Sequence, residues 1–322
     1  MQESKKVMSR RKFTQLSSAA IVSLPLMGFK RDFLQNNHRD LKELEVNLFS
    51  KHLQFLDYNE MAAAAANMGF NGIDLTVRPK GHVLPERVVD DLPKAVKAMN
   101  TYGLKPNMMT TNVWDTTDLK NKTLLETASK LGFEYYRTGW LSYTETKSIK
   151  DNQALYAKQA KHLEKLNKNL NLIGCYQNHA GNHVGAPIWD LPLILADSNN
   201  VNIGCQYDIR HAMVEGGQSW ELGLQVIRPY IKTLVIKDFI WKKQNEIWKP
   251  FNVPLGQGMV DFKKYFSILK KYKINVPISL HLEYDLGGAE HGNREISMDK
   301  NQVFDFMKAD LSYLRQTWQQ AD

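Results

Sequence analysis

From residue 44 onward the chain alternates short apolar segments, of the length and composition of buried strands, with longer amphipathic ones. The strand candidates are LEVNLF (44–49), GIDLTV (72–77), KPNMMTT (105–111), YYRTGW (135–140), LNLIGCYQ (170–177), NIGCQYD (202–208), TLVIKDF (233–239) and PISLHLEY (277–284), eight in all. Between them run helical patterns such as YNEMAAAAANMG, ALYAKQAKHLEKLNKNL and DFKKYFSILKKYK, several of which stop at glycine or asparagine as helix C-termini do. Eight strands, each leading into a helix over about 280 residues, is the arithmetic of a single α/β domain closed as a (β/α)8 TIM barrel. A doubly wound sheet would carry a glycine-rich phosphate loop after its first strand, and SKHLQFLDY (50–58) has no glycine.

The 322 residues are enough for a large core, and 43% hydrophobic with 24% charged content is that of an ordinary globular protein. The net charge of +8 invites a nucleic-acid reading, but residues 1–40 hold eight Lys and Arg against three Asp and Glu, which leaves only +3 for the rest. That is too weak a footprint for a nucleic-acid partner. The basic excess belongs to SRRKFTQ (9–15), paired arginines ahead of the modest apolar run LSSAAIVSLPLMGF (16–29). This pattern is similar to a twin-arginine-type export signal, and the run, interrupted by Ser23 and Pro25, is too short for a comfortable membrane span. No cysteine follows it to take a lipid anchor. The expectation is a signal and linker over 1–35, a barrel over 40–322, and a periplasmic mature protein with no membrane attachment. Cys175 and Cys205 lie inside strand candidates without paired spacing, which suits small core residues better than a zinc or redox site.

In such a barrel the chemistry sits at the C-terminal ends of the strands. Polar, ligand-type residues gather there: Lys51 and His52; Asp74, Arg78 and His82; Arg137; Gln177, Asn178, His179 and His183; Asp208, Arg210 and His211; Lys237 and Asp238; His281 and Glu283, with Glu290 and His291 beyond. Seven of the nine histidines fall in these blocks. Residues two apart on a strand share a face, so Gln177 pairs with His179 and His281 with Glu283. Oxygen and nitrogen donors without thiolates suit a divalent ion such as Mn²⁺, Mg²⁺, Co²⁺ or Zn²⁺. Lys237 has two open roles, pairing with Asp238 or reaching a substrate oxygen. Trp140, Trp189 and Trp220 follow strand ends, where stacking on a sugar ring and ordinary core packing are both open.

Four motifs, GIDLTVRPKGHV (72–83), YQNHAG (176–181), YDIRHA (207–212) and VIKDF (235–239), with LHLEYD (280–285), give the chain a resemblance to the xylose isomerase-like superfamily, the sugar phosphate isomerases and epimerases, from about residue 44 to 315. The resemblance implies a barrel that holds one divalent ion with a Glu, Asp, His, Glu set from strands five to eight and moves a proton next to a sugar carbonyl. On this chain it points to Gln177, Asp208 and His281 as metal ligands, and to His179, Lys237, His211 and Glu283 as catalytic groups. His52, Asp74, Arg78, His82, Arg137, Asn178 and Trp189 are the expected substrate contacts. The match is partial: Gln177 stands for the first Glu, Val235 for the His and His281 for the last Glu.

Export would exclude a sugar phosphate and favour a free keto sugar as the small-molecule carbohydrate partner. The main expectation is a metal-assisted isomerase or epimerase working through an enolate. Two alternatives stay open: a lyase that eliminates from 3-keto-glycosides, and a sugar-binding barrel without chemistry. An endonuclease IV-like repair enzyme is disfavoured by the weak body charge. Barrel pairing is common in the family, so a homodimer is the expected assembly.

Overall fold

Residues 43–322 are described by the structure, a computed structural model; the export-signal expectation for residues 1–35 lies outside them. Strands β1 (Val46–Phe49), β2 (Gly72–Thr76), β3 (Lys105–Thr110), β4 (Tyr135–Arg137), β5 (Ile173–Gln177), β6 (Ile203–Asp208), β7 (Ile231–Ile236) and β10 (Ile278–Leu280) form a closed, all-parallel barrel in chain order. The seam closes where Val46 and Leu48 face Ile278 and Leu280. Between β7 and the next helix, β8 (Asp238–Gln244) and β9 (Ile247–Val253) make an antiparallel hairpin. The helices are α1 (Tyr58–Met68), α2 (Val88–Thr101), α3 (Leu119–Lys130), α4 (Ile149–Leu170), α5 (Asp190–Leu195), α6 (Ile209–Gly216), α7 (Trp220–Ile227), α8 (Phe262–Lys271) and α9 (Lys300–Gln320). None among the described residues is long and apolar enough to cross a membrane.

Local chemistry sets these boundaries. Asp57 caps α1 in a capping box with Glu60, and Gly69 ends it at φ +90°, a conformation that costs glycine little. Ser148 caps α4, and Asn171 closes it in the left-handed region. Each helix buries one stripe against the barrel: in α8 it is Phe262, Tyr265, Phe266 and Leu269, the spacing of a single face. Full burial of such side chains stabilises by about 1.5–3 kcal/mol apiece.

Alternation along the strands divides the residues into two sets. Val46, Leu48, Ile73, Leu75, Tyr136 and Tyr176 face the helices and join the apolar core. The opposite set fills the barrel with hydrogen-bonded polar groups: Asn47 donates to Met108 Sδ, Thr110 and Ser279 both donate to Asp74, and Arg137 donates to Gln177. Cys175 and Cys205 are free and buried, and burial pushes the Cys175 thiol up to about 12. The sequence reading extends β4 to residue 140 and the last strand to residue 284; the structure ends them at Arg137 and Leu280. It also leaves out the β8–β9 hairpin.

Candidate active site

The site begins where β5 and β6 end. Asp208, the last residue of β6, accepts the backbone N–H of His211 and so caps α6; the cap fixes His211 one turn away, beside the same carboxylate. Asn178 ties β5 to this point, since its amide donates to Asp208 O and accepts from Asp208 N. One residue on, His179 Nδ1–H donates to Ala180 O at 2.8 Å, which fixes the tautomer and leaves Nε2 a free acceptor. The His179 ring packs 4.1 Å from His211 and 4.4 Å from Trp140. Burial, followed by the charge of Lys237, lowers the His179 pKa to about 4, so this imidazole is neutral at ordinary pH.

Charge is concentrated around Lys237. Its ammonium donates to Glu283 Oε2 at 3.0 Å and lies 3.2 Å from Asp208 Oδ2 and 2.9 Å from His211 Nε2, whose other ring nitrogen faces the Arg210 guanidinium at 3.1 Å. The other Glu283 oxygen accepts from Lys51 Nζ at 3.0 Å. Burial alone would raise the Glu283 carboxyl, but the Lys237 and Lys51 ammoniums outweigh it and hold the carboxyl well below its usual range. Asp208 is raised by burial, a shift that Lys237 partly offsets. His281 donates through Nε2 to Ser279 Oγ, which itself donates to Asp74, and its ring stacks on Phe49 at 4.0 Å. Its Nδ1 is buried without a hydrogen bond, 3.7 Å from Glu283.

Lys237, Glu283, Lys51, His179, His281 and Phe49 line a small pocket at the mouth of the barrel; Asp208 is wholly buried beside Lys237. Lys51, Arg78 and Arg137 join Lys237 on its wall, against the single carboxylate of Glu283. Arg137 is 3% exposed, its Nε has no partner, and its guanidinium lies 4.4 Å from the Trp140 ring. Burial and the charge of Arg78 lower its pKa to about 9.

A divalent ion does not fit this arrangement. Gln177 Oε1 accepts from Arg137 and its amide N–H points at Asp208, the only assignment open between a pure donor and a pure acceptor. Asp208 is engaged by Gln177 and Lys237, and His281 Nδ1 sits beside a carboxylate already shared by two ammoniums. Val235, on the same strand face as Lys237, offers no donor. An ion about 4 Å from the Lys237 ammonium would meet roughly 8 kcal/mol of repulsion at an effective dielectric of about 20. Among the described residues no group of three or more His, Cys, Asp or Glu side chains is set to hold a metal. Gln177, Asp208 and His281, the expected metal ligands, are neighbours, and each is engaged by protein groups.

The structure brings His179, Lys237, His211 and Glu283 together, with Arg78 and Arg137 on the same pocket wall. Other expected substrate contacts have different work. His52 accepts from Leu282 N and donates to Ala289 O, holding the segment after β10. His82 is buried against Leu53 O, Asp74 lies below the pocket with Thr110 and Ser279, and Asn178 is fully engaged by β6 backbone. Trp189 is half exposed and lines a separate hollow with Ala212 and Glu215. Asp238 does not pair with Lys237; it accepts four backbone N–H groups, from Phe239, Gly256, Gly258 and Val260. From sequence, Lys51 has no assigned role, Trp140 is open between stacking and core, and Phe49 is one more apolar strand residue. The signal for Lys51 was its place at a strand end; an aromatic ring within an apolar strand carries none.

The family model for the xylose isomerase-like TIM barrel matches residues 62–300. No curated protein matches the sequence significantly. Among solved structures, D-allulose 3-epimerase from Methylomonas sp. is similar with a TM-score of 0.63 at 16% identity, covering 85% of this chain and 98% of that one. A xylose isomerase-like TIM barrel protein from Mycobacterium smegmatis, in complex with magnesium, gives 0.63 at 12% identity over 87% and 98%. The 3-keto-D-glucoside 4-epimerase from E. coli gives 0.60 at 12% identity over 85% and 100%. At these identities the likeness is one of fold.

Proposed function

The chain belongs to the xylose isomerase-like TIM barrel family, and from that premise and its charged pocket we propose that it is an isomerase or epimerase of a non-phosphorylated keto sugar. The epimerase names of its structural neighbours support the carbohydrate class. The observation that carries the reading is His179, a neutral imidazole with its tautomer fixed and Nε2 free, on the wall of a pocket rich in cations.

Nε2 removes the proton next to the substrate carbonyl. Negative charge then gathers on the carbonyl oxygen, and Lys51, Arg78 and Arg137 supply the positive field that stabilises it. Glu283, held ionised by two ammoniums, accepts a sugar hydroxyl and orients the ring. Return of the proton from Nε2 to the neighbouring carbon, with a hydroxyl proton passing between the two oxygens, gives isomerisation; epimerisation requires that a group other than His179 deliver a proton to the opposite face of the same carbon. The twin-arginine pattern at residues 9–15 supports a periplasmic setting and hence a free sugar.

The test is deuterium incorporation from D2O into a panel of keto sugars and 3-keto-glycosides. Label at the carbon beside the carbonyl is expected, falling by about 10²- to 10⁴-fold in His179→Asn. Release of the aglycone would mark elimination instead. Sugars that bind but never exchange would overturn the enzyme reading and leave a binding protein.

A further inference from the structure

We propose that the Lys237 ammonium takes the place of a divalent cation in this barrel, so that the site is built to work without metal. Three side chains from separate parts of the fold meet at Nζ: the Asp208 carboxylate at the end of β6, the His211 imidazole in α6, and the Glu283 carboxylate just beyond β10. Two carboxylates and an imidazole are a donor set that would otherwise suit Mn²⁺, Co²⁺ or Zn²⁺. An ammonium has three N–H groups, and here two carboxylate oxygens and an imidazole nitrogen lie within 3.2 Å of it. The lysine is 3% exposed, so the cage is enclosed rather than a chance surface contact.

The surroundings are adapted to one fixed charge at that point. Two residues earlier on the same strand face Val235 is wholly buried and places only a methyl-bearing side chain where a further ligand would have to stand. Gln177 turns an N–H donor toward Asp208, the polarity suited to a carboxylate that already has a cationic partner. Lys51 neutralises the remaining oxygen of Glu283. A divalent ion added to this set would leave an excess of buried positive charge, and removal of Lys237 would leave the Asp208 carboxylate without its ammonium partner. The substitution exchanges an ion that can dissociate for one that is covalently attached. The site is thereby complete as soon as the chain folds. This inference bears on the proposed sugar chemistry, but its test reads ion binding and not turnover, so either can fail alone.

The purified protein is exposed to Mn²⁺, Co²⁺ and Zn²⁺ separately, dialysed, and assayed for metal by mass spectrometry; its thermal midpoint is recorded with each ion and with EDTA. Wild type is expected to hold no stoichiometric metal and to show no shift. Lys237→Ala empties the cage, so Mn²⁺ should then raise the midpoint by about 5 °C at a hundredfold excess over Kd. Co²⁺ should give the visible absorption of a low-symmetry site in the variant alone. About one bound metal per wild-type chain, or a metal-induced shift in wild type, would overturn the proposal. So would a folded Lys237→Ala that binds none of the ions. Should that variant not fold, Lys237→Gln takes its place, and the wild-type metal content decides the question without either.

Discussion

Arg137 combines three features seldom found in one buried arginine: an Nε with no partner, a single side-chain hydrogen bond to Gln177, and a guanidinium laid over Trp140 at 4.4 Å. Burial of an under-satisfied cation is costly unless a ligand completes it, so the substrate oxygen is the natural partner. Arg137→Lys keeps the charge but loses the planar fork and the stacking surface. The expected result is a loss of sugar affinity of about 10- to 100-fold, the worth of one charged hydrogen bond, with little change in thermal midpoint; calorimetric titration with the sugar that exchanges deuterium measures it. An unchanged affinity would place Arg137 outside the binding surface. Residues of this type were legible because a polar, ionisable side chain at the end of an apolar strand breaks the default of exposure, and Arg137, His179, His211, Lys237 and Glu283 all carry that signal. Phe49 and Trp140 do not, because an aromatic residue near a strand reads equally as core. The same ambiguity misdirects the expectation for Trp189, which faces a different hollow. What no linear pattern reports is which polar group uses up another: Asn178 and His52 sit in the right blocks, but neighbouring backbone occupies them.

The β8–β9 hairpin is the element that the sequence conceals. A tight hairpin turn usually declares itself by glycine, and here Asn245 and Glu246 take the two positive-φ positions at +49° and +65°. The hairpin is nevertheless tied into the site, since Asn252 accepts from Arg210 Nε at 2.9 Å and donates to Glu283 O at 3.2 Å. Its base is anchored by Asp238, whose carboxylate gathers four backbone N–H groups of the return loop. That loop must pass close to the carboxylate: a Cβ on Gly258 would lie 2.1 Å from Asp238 Oδ1. Gly258→Ala should therefore push the loop away, breaking hydrogen bonds as well as overpacking, and destabilise by about 2 kcal/mol or more. Urea unfolding of the variant measures the loss. A change below about 0.5 kcal/mol would show that the loop adjusts freely and that the anchor is not needed. The strand ends and amphipathic helices were legible because each buries one periodic face. An inserted hairpin beside the barrel has a largely exposed, lysine-rich outer end and supplies no such period.

At the scale of the whole barrel, eight alternations without a glycine-rich loop after the first strand sufficed to foresee closure, because eight parallel strands close into a barrel just wide enough for side chains to fill. The pattern could not reveal how the last described helix is tied to the barrel. Helix α9 is tied at the seam of β1 and β10: Arg315 donates to Gly69 O at the end of α1, and Asp310 accepts from Leu255 N at 3.1 Å and from Tyr284 O–H at 3.0 Å. Asp310 thus links the closing helix to the loop below the hairpin and to the segment after β10. Burial raises its carboxyl to about 7, with the hydrogen bonds from Tyr284 and Leu255 pulling the other way. The folded form therefore keeps a proton that the unfolded chain releases near pH 4. The stability this group provides is fully present below that pH and is lost as pH rises through about 7. The loss amounts to at most about 4 kcal/mol, the equivalent of three pKa units. Asp310→Asn has no proton to lose, so its midpoint should exceed that of wild type increasingly from pH 5 to pH 8, while the two converge toward pH 4. Parallel thermal unfolding curves across that range would show the seam to be insensitive to this carboxyl, and the difference between the two proteins would then have to lie in hydrogen bonding alone.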